Sequence, residues 1–222
     1  TQVGAAPPSI TVSVASSMAE AMREIGAHFQ ATRPGVTLQF NAAASGVLVQ
    51  QIVNGAPADV LVCADAESMD RAVQQRVVDA TTRRDFAANT LVLVVPARGG
   101  TAPAGVAGLA APSVRRVAIG KPATVPAGRY ARQALEHAGV WAAVQPRLVY
   151  ADNVRQVLDY VARGEVDAGF VYRTDARLAA DAVRVVGPAS GHAPIAYPVA
   201  VVADTRQPAL AREFAAFLLL PQ

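Results

Sequence analysis

The chain has 222 residues, of which 52% are hydrophobic and 17% charged, a balance that supports a buried core and excludes an intrinsically disordered protein. Its net charge of +3 is carried by scattered arginines and the single lysine, Lys121, so no basic stripe is present that would bind nucleic acid. The longest apolar runs, at 91–95 and 214–220, are far shorter than the roughly 20 residues that cross a bilayer, and we expect no membrane span.

The amino-terminal residues and the one cysteine bear on the compartment. The chain opens at Thr1 rather than Met, and the residues up to Ser9 are small, polar or Pro, as expected if a targeting segment has been removed. We therefore expect an exported protein. Cys63 lies within the apolar run 60–64, which predicts a small buried hydrophobe rather than a thiol catalyst or a metal ligand.

The first part of the chain alternates short β-rich runs with helical patterns. Strands are predicted at 10–15, 36–40, 60–64 and 90–95, and helices at 47–53, at 66–77 and from residue 19 to near Pro34-Gly35. Residues 97–112 are rich in Gly, Pro and Ala, which predicts a connector with at most one short helix.

The second part repeats the alternation. Strands are predicted at 116–119, 148–150, 168–172, 183–186 and 196–202, and helices at 128–138, 154–163 and 208–219. Such alternation is typical of an α/β protein with mostly parallel sheets. Two sets of about a hundred residues each predict a bilobal protein with a ligand cleft between the lobes. We assign residues 1–84 with 203–222 to lobe I and residues 85–202 to lobe II.

Two serines follow the first two predicted strands. In open α/β sheets, ligands lie beyond the carboxyl ends of the strands, where helix N-termini present unpaired N–H groups. Ser17 follows the first strand and Ser45 the second, and each could donate a hydroxyl and an N–H to an anion. The simpler interpretation of each serine alone is a helix cap, since Ser17 and Glu20 have capping-box spacing.

Three more strand-to-helix corners lie in the second part. Residues 124–130 lead into a helix and expose the Ala127 N–H, although Pro126 and Gly128 are also ordinary at the start of a helix. Before Val154, either Asp152 or Asn153 could act as the helix cap, and a cap is also the simpler interpretation of Asp152 taken alone. Tyr172 ends a predicted strand, where a tyrosine more often serves packing than binding.

Taken together and in this order, several motifs resemble the periplasmic molybdate-binding proteins of bacterial ABC importers, which have a type II periplasmic binding-protein fold. The resemblance covers nearly the whole chain. The motifs are Ala-Ser-Ser-Met at 15–18, Ala-Ser-Gly at 44–46, Asn-Gly-Ala-Pro-Ala-Asp at 54–59, Val-Pro-Ala-Gly-Arg-Tyr-Ala at 125–131, Asp-Asn-Val-Arg at 152–155 and Gly-Phe-Val-Tyr-Arg-Thr-Asp-Ala at 169–176.

The resemblance implies a set of oxyanion-binding residues. They are the hydroxyl and N–H groups of Ser17 and Ser45, the backbone N–H groups of Ala127 and Val154, and the hydroxyl of Tyr172. Family members commonly carry an acid where Asn153 stands and a second serine where Ala44 or Gly46 stands. They also usually continue past Gln222 in a terminal helical segment. None of these differences removes an implied donor.

The resemblance also implies a role. The protein would be a monomeric periplasmic receptor, with no catalytic residue, no cofactor and no side chain bound directly to a metal. It would capture molybdate or tungstate through the oxygens of the anion and deliver it to the membrane permease of an ABC importer. Molybdate and tungstate are doubly ionised at neutral pH, which suits a shell made only of donors, whereas phosphate usually carries a proton that needs an acceptor.

Other interpretations remain open. Sulfate also suits a donor-only shell, and an acceptor such as Asp152 would admit phosphate. A serine hydrolase would need a base near Ser17 or Ser45, but His28 and His137 fall in predicted helices, His192 falls in a loop, and neither serine lies in a Gly-x-Ser-x-Gly motif. The effector-sensing half of a transcription regulator with the same fold would require a separate DNA-binding domain.

Overall fold

The structure is a computed structural model that describes residues 7–99 and 102–220. Its contacts divide the chain into two compact units. Unit 1 comprises residues 1–87 and 197–222, and unit 2 comprises residues 88–196. Within the described ranges, no helix combines the length and the apolar character that crossing a bilayer requires.

Unit 1 is built on a five-stranded sheet. Its strands are β1 (Ser9–Ala15), β2 (Thr37–Ala43), β3 (Val60–Val62), β4 (Arg84–Ala88) and β10 (Ala196–Val201), in the order β2-β1-β3-β10-β4. β1 runs parallel to both β2 and β3, and β10 is antiparallel to β3. The helices are α1 (Ala19–Ala31), α2 (Ser45–Val53), α3 (Ala66–Gln74) and α8 (Pro208–Phe217), with short 3-10 turns at Ser16–Met18 and Ala80–Thr82.

The core of unit 1 forms two hydrophobic clusters. One joins β1, α1 and α8, where Phe29 and Phe214 are buried and meet edge to face with ring centroids 5.2 Å apart. The other joins β3, α2 and α3 around Leu48, Leu61 and Met69. Burial of these faces stabilises the helices against the sheet and holds the first turn of each helix at the carboxyl edge of β1, β2 and β3.

Unit 2 has a second five-stranded sheet with the order β7-β6-β8-β5-β9. Its strands are β5 (Leu91–Pro96), β6 (Val117–Gly120), β7 (Leu148–Ala151), β8 (Ala168–Tyr172) and β9 (Val183–Pro188). β6 is parallel to β7 and β8, whereas β5 is antiparallel to β8 and β9. The helices are α4 (Pro126–His137), α5 (Trp141–Val144), α6 (Val154–Ala162) and α7 (Arg173–Leu178), and 3-10 turns lie at Ala107–Ala110 and Gln145–Arg147.

The predicted α/β class is confirmed, and each strand and helix predicted above is present within a few residues. The sequence patterns missed β4, α5 and α7, because all three are short and half exposed and so lack a full apolar period. The strand at 196–202, placed in lobe II above, pairs with β3 of unit 1. Periodicity identifies a strand but does not state which sheet it joins.

Candidate functional site

Ser17 lies in the 3-10 turn that follows β1, one residue before the helix cap Met18. Its side chain does not cap α1, so the capping-box interpretation of Ser17 and Glu20 is wrong. The Ser17 hydroxyl oxygen is buried and has no hydrogen-bond partner among the described residues. A buried hydroxyl without a partner costs about 1–3 kcal/mol, so this oxygen is suited to a ligand.

Ser45 occupies the first position of α2, after the cap residue Ala44, and it is completely buried. Its hydroxyl oxygen accepts the N–H of Ala64, at 2.9 Å, instead of capping α2. Accepting that hydrogen bond fixes the side chain and leaves the hydroxyl hydrogen to be donated elsewhere. The first intrahelical amides, from Val47 and Leu48, reach Ala44, so the amides of Ser45 and Gly46 precede the hydrogen-bond ladder.

The strand register explains why the two serines share an edge. β1 and β2 are parallel and pair Ala15 with Ala43. Ser17 and Ser45 each lie two residues beyond that pair, where a helical segment follows each strand. The structure therefore brings Ser17 and Ser45 to the same edge of the unit 1 sheet, on neighbouring strands.

Ala127 is the second residue of α4, and it is buried. Gly128 and Arg129 donate their N–H groups to Val125, so the hydrogen-bond ladder of α4 begins after Ala127. The start of α4 lies hard against the end of β6, because a Cβ on Gly128 would stand 2.0 Å from the carbonyl oxygen of Gly120. Gly128 thus permits a close approach that sets the position of the Ala127 amide.

Val154 opens α6, and Asn153 is the residue that caps it. The Asn153 side chain accepts the Gln156 N–H at 3.0 Å, so of the two candidate caps Asn153 is the one used and Asp152 is not. The Asp152 carboxylate instead lies 2.5 Å from the ammonium nitrogen of Lys121. Capping satisfies the third amide of the helix and leaves the first, from Val154, without an intrahelical acceptor.

Tyr172 ends β8 and is almost completely buried. Its backbone N–H donates to the Asp175 carboxylate at 3.1 Å. The other oxygen of that carboxylate lies 2.9 Å from Nε of Arg155. In the sequence, Arg155 and Asp175 stand out only as parts of motifs, since a contact between residues twenty positions apart has no local signal.

The three corners of unit 2 also share one edge. β6 is parallel to both of its neighbours, and its register pairs Gly120 with Ala151 at the carboxyl ends. Ala127, Val154 and Tyr172 follow or end these three strands. Each unit thus carries its predicted site residues at the carboxyl ends of parallel strands, the position at which α/β sheets bind ligands.

The described residues provide little for other chemistry. Residues 7–99 and 102–220 contain no group of three or more His, Cys, Asp or Glu side chains that could hold a metal ion. His28 and His137 lie in α1 and α4, and both ring nitrogens of His192 contact backbone carbonyls of its own loop, Ala189 and Ala193. Cys63, the one cysteine of the chain, is buried, as predicted.

Comparison with known proteins gives close relatives. The chain is 37% identical over 219 residues to the molybdate-binding protein ModA of Escherichia coli (strain K12), with 96% of this chain and 84% of that protein aligned. It is 36% identical over 211 residues to the putative ABC transporter substrate-binding lipoprotein YvgL of Bacillus subtilis (strain 168), covering 94% of this chain and 80% of YvgL.

A solved structure supports the same grouping. The periplasmic molybdate-binding protein of Azotobacter vinelandii superposes with a TM-score of 0.83 at 27% identity, covering 96% of this chain and 93% of that one. The predicted type II fold and the resemblance given above are therefore confirmed. The model of the family described as bacterial extracellular solute-binding protein matches residues 10–222, which confirms a binding protein rather than an enzyme. The chain belongs to this family of bacterial extracellular solute-binding proteins.

Proposed function

We propose that the protein is a receptor for molybdate, and also for tungstate, that holds one oxyanion with neutral donors from both units. The donors are the hydroxyl and N–H groups of Ser17 and Ser45, the N–H groups of Ala127 and Val154, and the Tyr172 hydroxyl. The receptor then delivers the anion to the membrane permease of an ABC importer. It acts in the periplasm as a monomer.

The observation that carries this proposal is the buried Ser17 hydroxyl, which has no partner among the described residues. Its neighbour Ser45 is buried at the same sheet edge, with its oxygen fixed by Ala64 and its hydrogen left to donate. A ligand with several strong acceptor oxygens is what such a pair of hydroxyls requires. An oxyanion meets that requirement.

The donor set favours an anion without protons. Backbone N–H groups at the starts of α2, α4 and α6 donate only, and the helix dipoles add positive potential there. Asp152 is the acid nearest to these corners in sequence, and its carboxylate is engaged by Lys121. A protonated phosphate would find no carboxylate to accept its proton and would have to use a hydroxyl oxygen, whereas molybdate and tungstate need no acceptor.

The relatives support the choice of ligand. Two of those compared above carry the name molybdate-binding protein, and a third is described as an ABC transporter substrate-binding lipoprotein. Tungstate is nearly isosteric with molybdate and has the same charge, so a site made of hydrogen-bond donors accepts both. An anion held by donors of two units would stabilise the conformation in which all of them reach it, and that conformation would dock on the permease.

Calorimetric titration of purified protein with molybdate tests the assignment. We expect Ser17→Ala, Ser45→Ala and Tyr172→Phe each to weaken binding roughly ten- to hundredfold, because each loses a charge-assisted hydrogen bond of about 1.5–3 kcal/mol. Ser9→Ala is the matched control, since Ser9 is exposed at the opposite end of β1. Circular dichroism checks that the variants fold. Unchanged affinity in all three variants would refute the site.

Thermal shift with a panel of ions tests the ligand. We expect molybdate and tungstate to raise the melting temperature, and phosphate and a ferric salt to do so weakly or not at all, whereas sulfate, which also suits a donor-only shell, is the critical comparison. Stabilisation by sulfate or phosphate alone would make the protein a receptor for that oxyanion instead. Hydrolysis of a p-nitrophenyl ester that is lost in Ser17→Ala or Ser45→Ala would favour a hydrolase. Size-exclusion chromatography with light scattering tests the monomeric state.

A further inference from the structure

One carboxylate in unit 2 has a distinct partner for each oxygen. The Asp175 side chain is completely buried at the start of α7. One oxygen accepts the backbone N–H of Tyr172 at 3.1 Å, and the other lies 2.9 Å from Nε of Arg155. The Arg155 side chain is itself only 23% exposed. Burying a carboxylate is costly unless it is paired and hydrogen-bonded, and the two contacts offset part of that cost for Asp175.

These partners adjoin two of the proposed anion donors. Tyr172 is one donor, and Arg155 directly follows another, Val154, in the first turn of α6. The two corners follow β7 and β8, which are separated in the sheet by β6. Strand pairing therefore does not join them directly. The Arg155–Asp175 pair makes that connection across the end of β6.

The pair also has an electrostatic consequence. Arg155 lies beside a corner that is proposed to bind an anion, and it is paired with the Asp175 carboxylate. At this distance the negative charge of Asp175 offsets much of the electrostatic potential that Arg155 would exert on a bound anion. The corner therefore acts through hydrogen-bond geometry rather than through a free cation, and its affinity depends on where its donors stand.

We propose that Arg155 and Asp175 are positioning residues that hold the Val154 and Tyr172 corners at the spacing the oxyanion requires. This inference rests on the proposed function. Neither side chain is assigned a contact with the anion. They affect anion affinity by fixing the positions of the Val154 amide, in α6, and of Tyr172. Residues that orient metal ligands change metal affinity by about ten- to hundredfold when they are removed, and we expect a similar range for these two residues.

The test compares molybdate affinity in Asp175→Asn and in a matched control. Asp175→Asn keeps the shape but loses the charge that holds Arg155, and we expect the Kd to rise at least about tenfold. Asp167→Asn is the control, because the Asp167 carboxylate also accepts backbone amides, those of Arg115 and Arg116, at the opposite end of the unit 2 strands. We expect Asp167→Asn to lower the melting temperature but to leave the Kd within about twofold of wild type.

Two further measurements separate positioning from general damage. Arg155→Lys retains the positive charge, and we expect it to bind within about threefold of wild type, whereas Arg155→Gln loses affinity as Asp175→Asn does. In the ligand-free state, the amide NMR signals of Val154 and Tyr172 should shift in Asp175→Asn, and those of Ser17 and Ser45 should not. If Asp175→Asn does not fold, Arg155→Gln provides the same comparison.

Three outcomes would overturn the inference. Wild-type affinity in both Asp175→Asn and Arg155→Gln overturns the inference and leaves the receptor function standing. An equal loss in Asp167→Asn also overturns it, because the effect would then follow stability rather than position. A wild-type protein that binds neither molybdate nor tungstate overturns the proposed function and this inference together.

Discussion

The serines at the carboxyl edge of unit 1 show how burial changes the meaning of a residue. On a surface, a Ser that follows a strand commonly caps a helix, and its hydroxyl oxygen then accepts the backbone N–H of a residue two or three positions further along. Here, neither Ser17 nor Ser45 caps, and the Ser17 oxygen is buried without a partner among the residues described. Leaving such a group unpaired lowers the stability of the folded chain unless something else supplies the hydrogen bond. The proposed oxyanion would be that partner.

Gly128 gives a prediction at the residue scale. A methyl group at Gly128 would collide with the backbone of Gly120, which can move only if the start of α4 moves away from β6. We expect Gly128→Ala to destabilise the protein by about 1–3 kcal/mol and to weaken molybdate binding by displacing the Ala127 amide. Chemical denaturation and calorimetric titration measure the two effects.

The matched control is Gly187→Ala in β9, where the added methyl group would meet nothing within 4 Å and the backbone needs no left-handed conformation. We expect that variant to keep both wild-type stability and wild-type affinity. If Gly128→Ala behaved like Gly187→Ala, the close approach of α4 to β6 would not set the position of the Ala127 amide.

At the scale of elements, helix N-termini are the recurring unit. α2, α4 and α6 each begin directly after a parallel strand, and each begins differently: Ser45 stands at the first position of α2, Pro126 opens α4, and Asn153 caps α6. The three share amides that precede the hydrogen-bond ladder. Chemically unlike sequences thereby present the same donor, which explains how Ala127 and Val154 can be binding residues without a polar side chain.

The α6 cap gives a prediction at this scale. Asn153→Ala removes the hydrogen bond to the Gln156 amide, and we expect a loss of about 1 kcal/mol in the free energy of unfolding. Asn153→Asp should keep wild-type stability, because Asp caps about as well as Asn. Urea denaturation followed by circular dichroism measures both. Equal losses in the two variants would mean that the side-chain volume, and not the cap, matters at this position.

At the scale of the whole molecule, the proposed donors are divided between two compact units with separate sheets. Ser17 and Ser45 belong to unit 1, and Ala127, Val154 and Tyr172 belong to unit 2. The chain passes between the units twice, near residues 87–88 and 196–197. A ligand that binds donors from both would couple the stability of one unit to that of the other, since binding favours the folded form of every group it contacts.

Hydrogen exchange tests this coupling. At a molybdate concentration near one hundred times the Kd, we expect amides in the strands of both units to gain protection, with a limit of about 2.7 kcal/mol. In Ser17→Ala, the same ligand concentration should protect both units less. Protection confined to residues 1–87 and 197–222, or to residues 88–196, would mean that one unit binds the anion alone.

Strands and helices could be predicted where apolar residues recur with a regular period, as in β1, α1, β8 and α6. The spacing of apolar residues indicates which face of an element is buried. The site residues could be predicted as positions that follow strands, and the resemblance to a known family selected five of those positions. The contacts that these residues make could not be predicted. The contact between Ser45 and Ala64 and the contact between Arg155 and Asp175 join residues 19 and 20 positions apart, so periodicity holds no record of them.

The α/β class, the order of most elements and the residues that follow each strand could be predicted from the sequence, because they depend on local periodicity and on the chemistry of helix starts. The three-dimensional packing was needed to establish that Ser17 and Ser45 are not caps, that Asp152 pairs with Lys121, and that β10 pairs with β3 in unit 1. A given polar side-chain or backbone group can join a helix cap, an ion pair or a strand pairing, and these alternatives compete. Packing between distant segments settles that competition.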